Sequence, residues 1–404
     1  MSINRRTVLA AGAGVAAGLT LPGVALAGDR AVGLTLNAVT LDGGEQVVSL
    51  TLDTARLGPI APGSLTAGTF TVHAKATSPI PIAPGDQIFS EYDLDRVVTA
   101  ARLDHRGNIV LELSTAEGQL GGGTLGYIAS KGRNVRLNLV YTVMQQAPLR
   151  LRNGRAVTIA RFEQGRLVNP EVDAFSYHTS GSGMKYRLFS ASGAARPLIV
   201  WLHGGGEGAS LPDNYYDNET TLRANRGALG FATPEAQRIF NGAHVVVPQS
   251  TSYWLEDGDR FAPLIREIVD DVARRYAVDR RRIYVAGCSN GGYMSLKMTT
   301  VYPDRFAASV PICGVVTDVL TDDELRHIDT PTWLVASRDD DTVPPEANTV
   351  HAHDLVPRSL LSLYDHVIWN GYQFPGHWSW IYVARNDPSI GGTHIWQWMS
   401  RQRG

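Results

Sequence analysis

The stretch Ile283-Tyr284-Val285-Ala286-Gly287-Cys288-Ser289-Asn290-Gly291-Gly292-Tyr293 decides the fold. Its first four residues form a continuous apolar run of the kind found in a strand buried on both faces, and a helix is expected from about Tyr293. Between them lies a Gly-x-Ser-x-Gly turn, which in this strand-to-helix context is a candidate nucleophile elbow. The bend is too tight for side chains at its flanks. Gly287 and Gly291 relieve the crowding, and the Ser289 hydroxyl is held outward at a helix N-terminus. A glycine-rich turn with an incidental serine is the bland alternative, and the flanking elements argue against it.

Outward from this turn, Leu198-Ile199-Val200-Trp201-Leu202, Val245-Val246-Val247 and Trp333-Leu334-Val335-Ala336 are further continuous apolar runs. Between two of them, Phe261, Leu264, Ile265, Ile268, Val269, Val272 and Tyr276 fall on one side of a helix whose last turn carries Arg274 and Arg275. Strands alternating with helices from about Phe175 onward predict a mostly parallel sheet covered by helices. Sites in such sheets lie at the carboxyl ends of the strands.

A hydroxyl at its ordinary pKa is a poor nucleophile, so Ser289 needs a base and a group that orients the base. In an elbow-type sheet the order along the chain is serine, then acid, then histidine. The loop Ser337-Arg338-Asp339-Asp340-Asp341-Thr342-Val343-Pro344-Pro345 follows the Trp333 strand and holds three carboxylates. Asp340 is the expected acid from its Asp-x-x-Val-Pro setting, with Asp339 as runner-up. His377, in Phe374-Pro375-Gly376-His377-Trp378, follows the last strand and precedes a helix, which makes it the expected base ahead of His366, placed in a strand, and His394. His351 and His353, two apart on a helix, point to different faces and do not suggest a metal pair. An ordinary histidine base predicts a rate that rises with pH about a midpoint near 6 to 7.

Acyl transfer also needs fixed donors for the developing oxyanion. The loop His203-Gly204-Gly205-Gly206-Glu207-Gly208 offers the Gly205 and Gly206 N–H groups, and Asn290 offers another; His203 reads as a residue that holds the loop. Trp254, Tyr293, Trp378 and Trp380 lie near these motifs, and Trp254 and Trp378 are the candidate substrate-binding residues, although core packing explains an aromatic side chain equally well. No step requires a metal or an organic cofactor.

The first half of the chain reads differently. From Ala31 to about Val172 apolar residues recur at every second position, as in Val32, Leu34, Leu36 and Val48, Leu50, Leu52. Turns are expected at Asp104 to Asn108 and near Gln164-Gly165, and an antiparallel sandwich of immunoglobulin-like size follows. His73 and His105 read as isolated surface or strand residues.

The first 27 residues are set apart. Arg5-Arg6 precedes the Ala- and Gly-rich run Val8 to Leu21, and Ala25-Leu26-Ala27 offers small residues for cleavage, a pattern similar to a twin-arginine export signal. The run is short and interrupted by glycines, which argues against a lasting membrane anchor. Gly12, Gly14 and Gly18 mimic a dinucleotide loop but follow no strand. The whole chain has 404 residues and a formal charge of −2, which makes nucleic acid an unsuitable partner, and its length fits two domains. Two cysteines, Cys288 and Cys313, exclude a disulfide framework and a cysteine zinc site, and two free buried thiols are expected.

Taken together, Trp201 to Gly208, Pro248-Gln249 with Trp254, Gly287 to Gly292, Tyr302 to Ala307, Asp340 to Pro345 and Gly376 to Trp380 resemble bacterial α/β-hydrolase esterases that carry an N-terminal immunoglobulin-like domain, relatives of the poly(3-hydroxybutyrate) depolymerase and feruloyl esterase group. The resemblance implies an α/β-hydrolase domain over 173–404, a β domain over 28–172, a leader over 1–27, a Ser289, Asp340, His377 triad, and hydrolysis of small or polymeric carboxylic esters by an exported enzyme. A prolyl-oligopeptidase-type peptidase uses the same machinery, though the β domain is too short for a propeller lid. A surface-binding protein on a hydrolase scaffold is the non-enzymatic alternative.

Overall fold

The computed structural model describes residues 31–193, 195–212, 216 and 218–404, together with the backbone of Ala25 and Leu26. The leader expected over 1–27 therefore lies outside the described residues except at those two positions.

The alternating half folds into facing sheets. Five strands lie in the order Phe162–Val168, Val32–Leu41, Gly44–Leu52, Ile109–Leu113, Val98–Leu103, and three more in the order Asn138–Gln145, Phe70–Thr77, Tyr92–Arg96. Period-two patterning puts Val32, Leu34 and Leu36 on the inner face, where they share one core with Val72, Ala74, Tyr141 and Val143 of the other sheet. The turn at Asp104 to Asn108 is present; the Asp104 carboxylate accepts the Arg106 and Asn108 N–H groups at 2.8 and 2.9 Å. The turn expected at Gln164-Gly165 is absent. Those residues lie inside the strand Phe162–Val168, which runs parallel to Val32–Leu41 and breaks register between Gln164 and Leu167, so the domain is not wholly antiparallel. A Cβ on Gly165 would come 3.2 Å from the Leu34 carbonyl, so this glycine serves a bulge and not a reversal.

The second half is one sheet of eight strands: β1 (Ser176–Thr179), β2 (Lys185–Phe189), β3 (Arg196–Leu202), β4 (His244–Pro248), β5 (Val278–Cys288), β6 (Ala308–Ile312), β7 (Trp333–Ser337) and β8 (Leu360–Tyr364). Their order is β1-β2-β4-β3-β5-β6-β7-β8. From β4 to β8 every pairing is parallel, and β1 and β2 are antiparallel additions at one edge. Both faces are covered, which is why the central strands read as unbroken apolar runs. On one face lie α1 (Gly258–Arg275) and α2 (Asn290–Val301), which bury Phe261, Ile265, Ile268, Val269, Met294 and Met298. Each such aliphatic side chain contributes about 1.5–3 kcal/mol of burial. Asp257 caps α1 by accepting the Arg260 N–H, and Arg274 and Arg275 sit in its last turn, where cations offset the helix dipole. His366, expected within a strand, occupies the bend between β8 and the short strand Val367–Trp369.

The halves are joined through buried charges. Glu45, from the β half, accepts from Thr124 at 2.6 Å and Asn169 at 2.7 Å and pairs with Arg223. Arg223 also pairs with Glu219 at 2.7 Å, and Arg385 donates two bonds to Asp42 at 2.9 and 2.8 Å. A small sheet of Ile88–Phe89, Leu125–Ile128 and Arg133–Arg136 stands beside the loop that follows β3.

Candidate active site

The elbow follows from sterics. Ser289 has φ 53° and ψ −114°, a conformation that a residue with a side chain adopts only when its surroundings over-determine it. Those surroundings are close backbone. A Cβ on Gly287 would collide with the Gly291 and Leu202 carbonyls, and one on Gly291 with Leu202 again. The Ser289 N–H donates to the Ile312 carbonyl at 2.8 Å, tying the turn to β6. Asn290 opens α2, so its N–H is one of the donors that a helix leaves unpaired at its N-terminus.

The loop after β7 brings a carboxylate to the histidine. Asp340 is buried, and its Oδ1 accepts the Thr342 and Val343 N–H groups at 2.9 and 2.8 Å. Its Oδ2 lies 2.8 Å from His377 Nδ1, which leaves Nε2 for the serine side of the ring. Ser289 and His377 line one cavity of about 730 Å³. No hydrogen bond joins these two residues among those formed by the described side chains.

The runners-up have other work. Asp339 accepts from Ser337 at 2.5 Å and pairs with His366 at 2.9 Å, forming a separate couple beside the loop that carries His377. His394 Nδ1 is bonded to the Asn386 carbonyl at 2.7 Å. His351 and His353 contact Asp322 and Ser359, not each other.

One neighbour of His377 was not legible in the sequence. Cys313, directly after β6 and buried at φ 40°, presents its sulfur within 4.8 Å of ligand-type atoms of Asp340 and His377. Burial opposes the imidazolium, but Cys313 and then Asp340 outweigh it, and His377 is raised to about 10 instead of the ordinary 6 to 7. Among the described residues these three form the one such cluster of potential metal ligands. Both Asp340 oxygens are already taken up by N–H donors, so the set is arranged for hydrogen bonding. Cys288 and Cys313 are both free and buried. Burial lifts the Cys288 thiol well above its usual range.

Gly205 and Gly206 begin a short turn, Gly205–Glu207, and line the cavity with Ser289. His203 holds this loop: its Nδ1 lies 2.7 Å from the Gly204 carbonyl, and its Nε2 accepts the Ser250 N–H at 3.0 Å. Burial pushes the ring down to about 4, so it stays neutral. Glu207, which the glycine-rich motif conceals, is buried beneath the loop, accepts from Asn134 of the β half at 3.2 Å and is pushed by burial up to about 7.

Trp254 does not line the cavity. It is 0% exposed, its indole N–H donates to the His203 carbonyl at 3.1 Å, and its ring packs tilted against His203 and edge-to-face with Phe261. Tyr293 is likewise buried in the core over α1. Trp378 and Trp380 do line the cavity. Proximity in sequence could not separate these cases, because the Trp254 turn faces inward toward the loop it supports.

The eight-stranded sheet and the strand-to-helix turn at Ser289 have the α/β-hydrolase fold. Residues 255–352 match the model of the prolyl oligopeptidase family. The chain is 28% identical over 167 residues to NocK of Nocardia uniformis subsp. tsuyamanensis, which carries the name of an esterase, covering 39% of this chain and 47% of that protein. It is 28% identical over 149 residues to poly(3-hydroxyalkanoate) depolymerase C of Paucimonas lemoignei, covering 36% and 34%. The chain thus spans less than half the length of these relatives. A crystal structure described as a thermostable esterase superimposes with a TM-score of 0.73 at 24% identity, over 92% of this chain and 99% of that one.

Proposed function

We propose that the protein is a serine esterase that cleaves carboxylic esters through an acyl-enzyme. The observation that carries the reading is one cavity lined by both a strained Ser289 and a His377 bonded to Asp340, beside a loop of glycine N–H groups. Ser289 Oγ attacks the ester carbonyl and His377 Nε2 takes its proton. Asp340, fixed by two backbone donors, stays ionised and stabilises the imidazolium. The Gly205, Gly206 and Asn290 N–H groups receive the oxyanion. His377 then protonates the departing alcohol, and water, activated by the same ring, releases the acid.

The names of the relatives favour esters, and the chemistry needs no cofactor. The facing sheets of the β half, closed over a single core, support an immunoglobulin-type domain over 28–172 ahead of a catalytic domain over 173–404. The Arg5-Arg6 leader supports export. Small or polymeric esters met outside the cytoplasm are the substrates, with no nucleic acid partner and no lasting membrane insertion. A peptidase reading is favoured by the prolyl oligopeptidase match over 255–352. A 4-nitrophenyl ester and a prolyl 4-nitroanilide offered to wild type and Ser289→Ala separate the two: ester turnover lost in the variant supports the proposal, and cleavage of the anilide alone overturns it.

A further inference from the structure

The cavity is a joint product of both halves, and its β wall has a definite chemistry. Tyr127 stands within 3.7 Å of where a Cβ on Gly206 would lie, so its ring borders the expected oxyanion loop. Phe89 is its direct cross-strand partner in the small sheet, so both rings project to one face and form a track leading away from the loop. Leu120 joins them from a neighbouring loop. All three line the cavity yet remain 41%, 51% and 58% exposed, in the order Tyr127, Phe89, Leu120. Among the described residues, no partner covers these large apolar groups beside Ser289.

Charge narrows the choice of partner. No lysine or arginine lines the cavity among the described residues, whereas Glu45, Glu117 and Glu207 do. Glu45 is compensated by Arg223, and Arg133 lies behind the wall with its guanidinium stacked on Tyr253 at 3.4 Å. Glu117 has no such cation bonded to it; it accepts the Asp42 and Gly43 N–H groups at 2.9 and 3.0 Å. Away from His377, an anion along the β wall would meet no lysine or arginine among the described residues, in a partly desolvated space.

The mechanism proposed above sets the direction. His377 gives its proton to the leaving group, so the alcohol lies toward Trp380, which stands edge-on to that ring at 5.6 Å, and Trp378, stacked on Trp380. The acyl chain must extend the other way, past the oxyanion loop. We propose that Phe89, Tyr127 and Leu120 of the β half form the acyl subsite and select esters of uncharged acids bearing an aromatic or bulky apolar group. The inference rests on the esterase reading and adds the substrate class. It also gives the β half a direct part in substrate selection.

The test holds the leaving group constant. Wild type, Phe89→Ala and Tyr127→Ala are compared on 4-nitrophenyl 3-phenylpropanoate and 4-nitrophenyl acetate, and on the 4-nitrophenyl monoester of glutaric acid against 4-nitrophenyl pentanoate. Wild type should favour the phenylpropanoate in kcat/KM by about tenfold or more, and each variant should shrink that ratio severalfold. The anionic glutarate should be at least about tenfold poorer than its neutral counterpart. An unchanged ratio in both alanine variants, or a glutarate ester as good as the pentanoate, overturns the subsite. Failure of wild type on every ester, while a fluorophosphonate still labels Ser289, overturns the esterase reading instead.

Discussion

At Ser289 the backbone is strained, and the partners proposed to activate it come from loops about 50 and 90 positions further on. Ser289→Ala and His377→Ala should each lower ester turnover by at least ~10³, with the residual rate left to the oxyanion donors. Retention of activity within tenfold in Ser289→Ala would remove the elbow from the mechanism. Asp340→Asn should be far more damaging than Asp339→Asn, because Asp340 touches His377 whereas Asp339 touches Ser337 and His366. The pH profile carries a second expectation. Only the neutral imidazole accepts the serine proton, and the raised value of His377 means that its neutral form gains population only at higher pH. The rate should therefore still be climbing above pH 7, and Cys313→Ala should move the midpoint downward. A wild-type plateau reached by pH 7 would show that Cys313 exerts no such hold.

The elements of the hydrolase half were legible wherever physics imposes a local signature. Continuous apolar runs marked β3, β4, β5 and β7, and the 3.6-residue spacing of Phe261, Ile265, Ile268 and Val272 marked α1. Gly287 and Gly291 marked the elbow because no other residue fits between Leu202 and α2. Gly291→Ala should destabilise the fold by about 1–3 kcal/mol or more in urea unfolding, since rigid backbone, not a flexible side chain, occupies the space. Illegible features depended on distant segments. Gly165 carries a turn-like signal, but the approach of Leu34 makes it a bulge. Cys313 gave no sign of its contact with His377, which depends on β6 lying beside β5. Trp254 and Trp378 have equal aromatic character, and only the direction of their loops makes one a buttress and the other a wall.

Across the whole molecule, the two halves behave as one body joined by ions that water does not reach. Arg223 stands between Glu45 and Glu219, all three nearly inaccessible. Removing one member of such a set leaves a buried charge without compensation, at a cost of about 3–5 kcal/mol. Arg223→Ala should lower the unfolding free energy by that amount, and a change below about 1 kcal/mol would show that the interface is hydrated in solution. The cavity walls come from both sides of this junction, so activity should fall together with the interface.

The clasp between Asp42 and Arg385 joins positions 343 residues apart, one near the start of the β half and the other after the last candidate catalytic residue. A contact of such long range carries the entropy of closing most of the chain into one loop, which the rest of the fold must offset. Its closure also completes the cavity, since Gly43 and Glu117 on one side and Trp378 on the other meet beside it. A chain in which this clasp is open keeps Ser289 on its turn but lacks the wall that Gly43 and Glu117 add to the cavity.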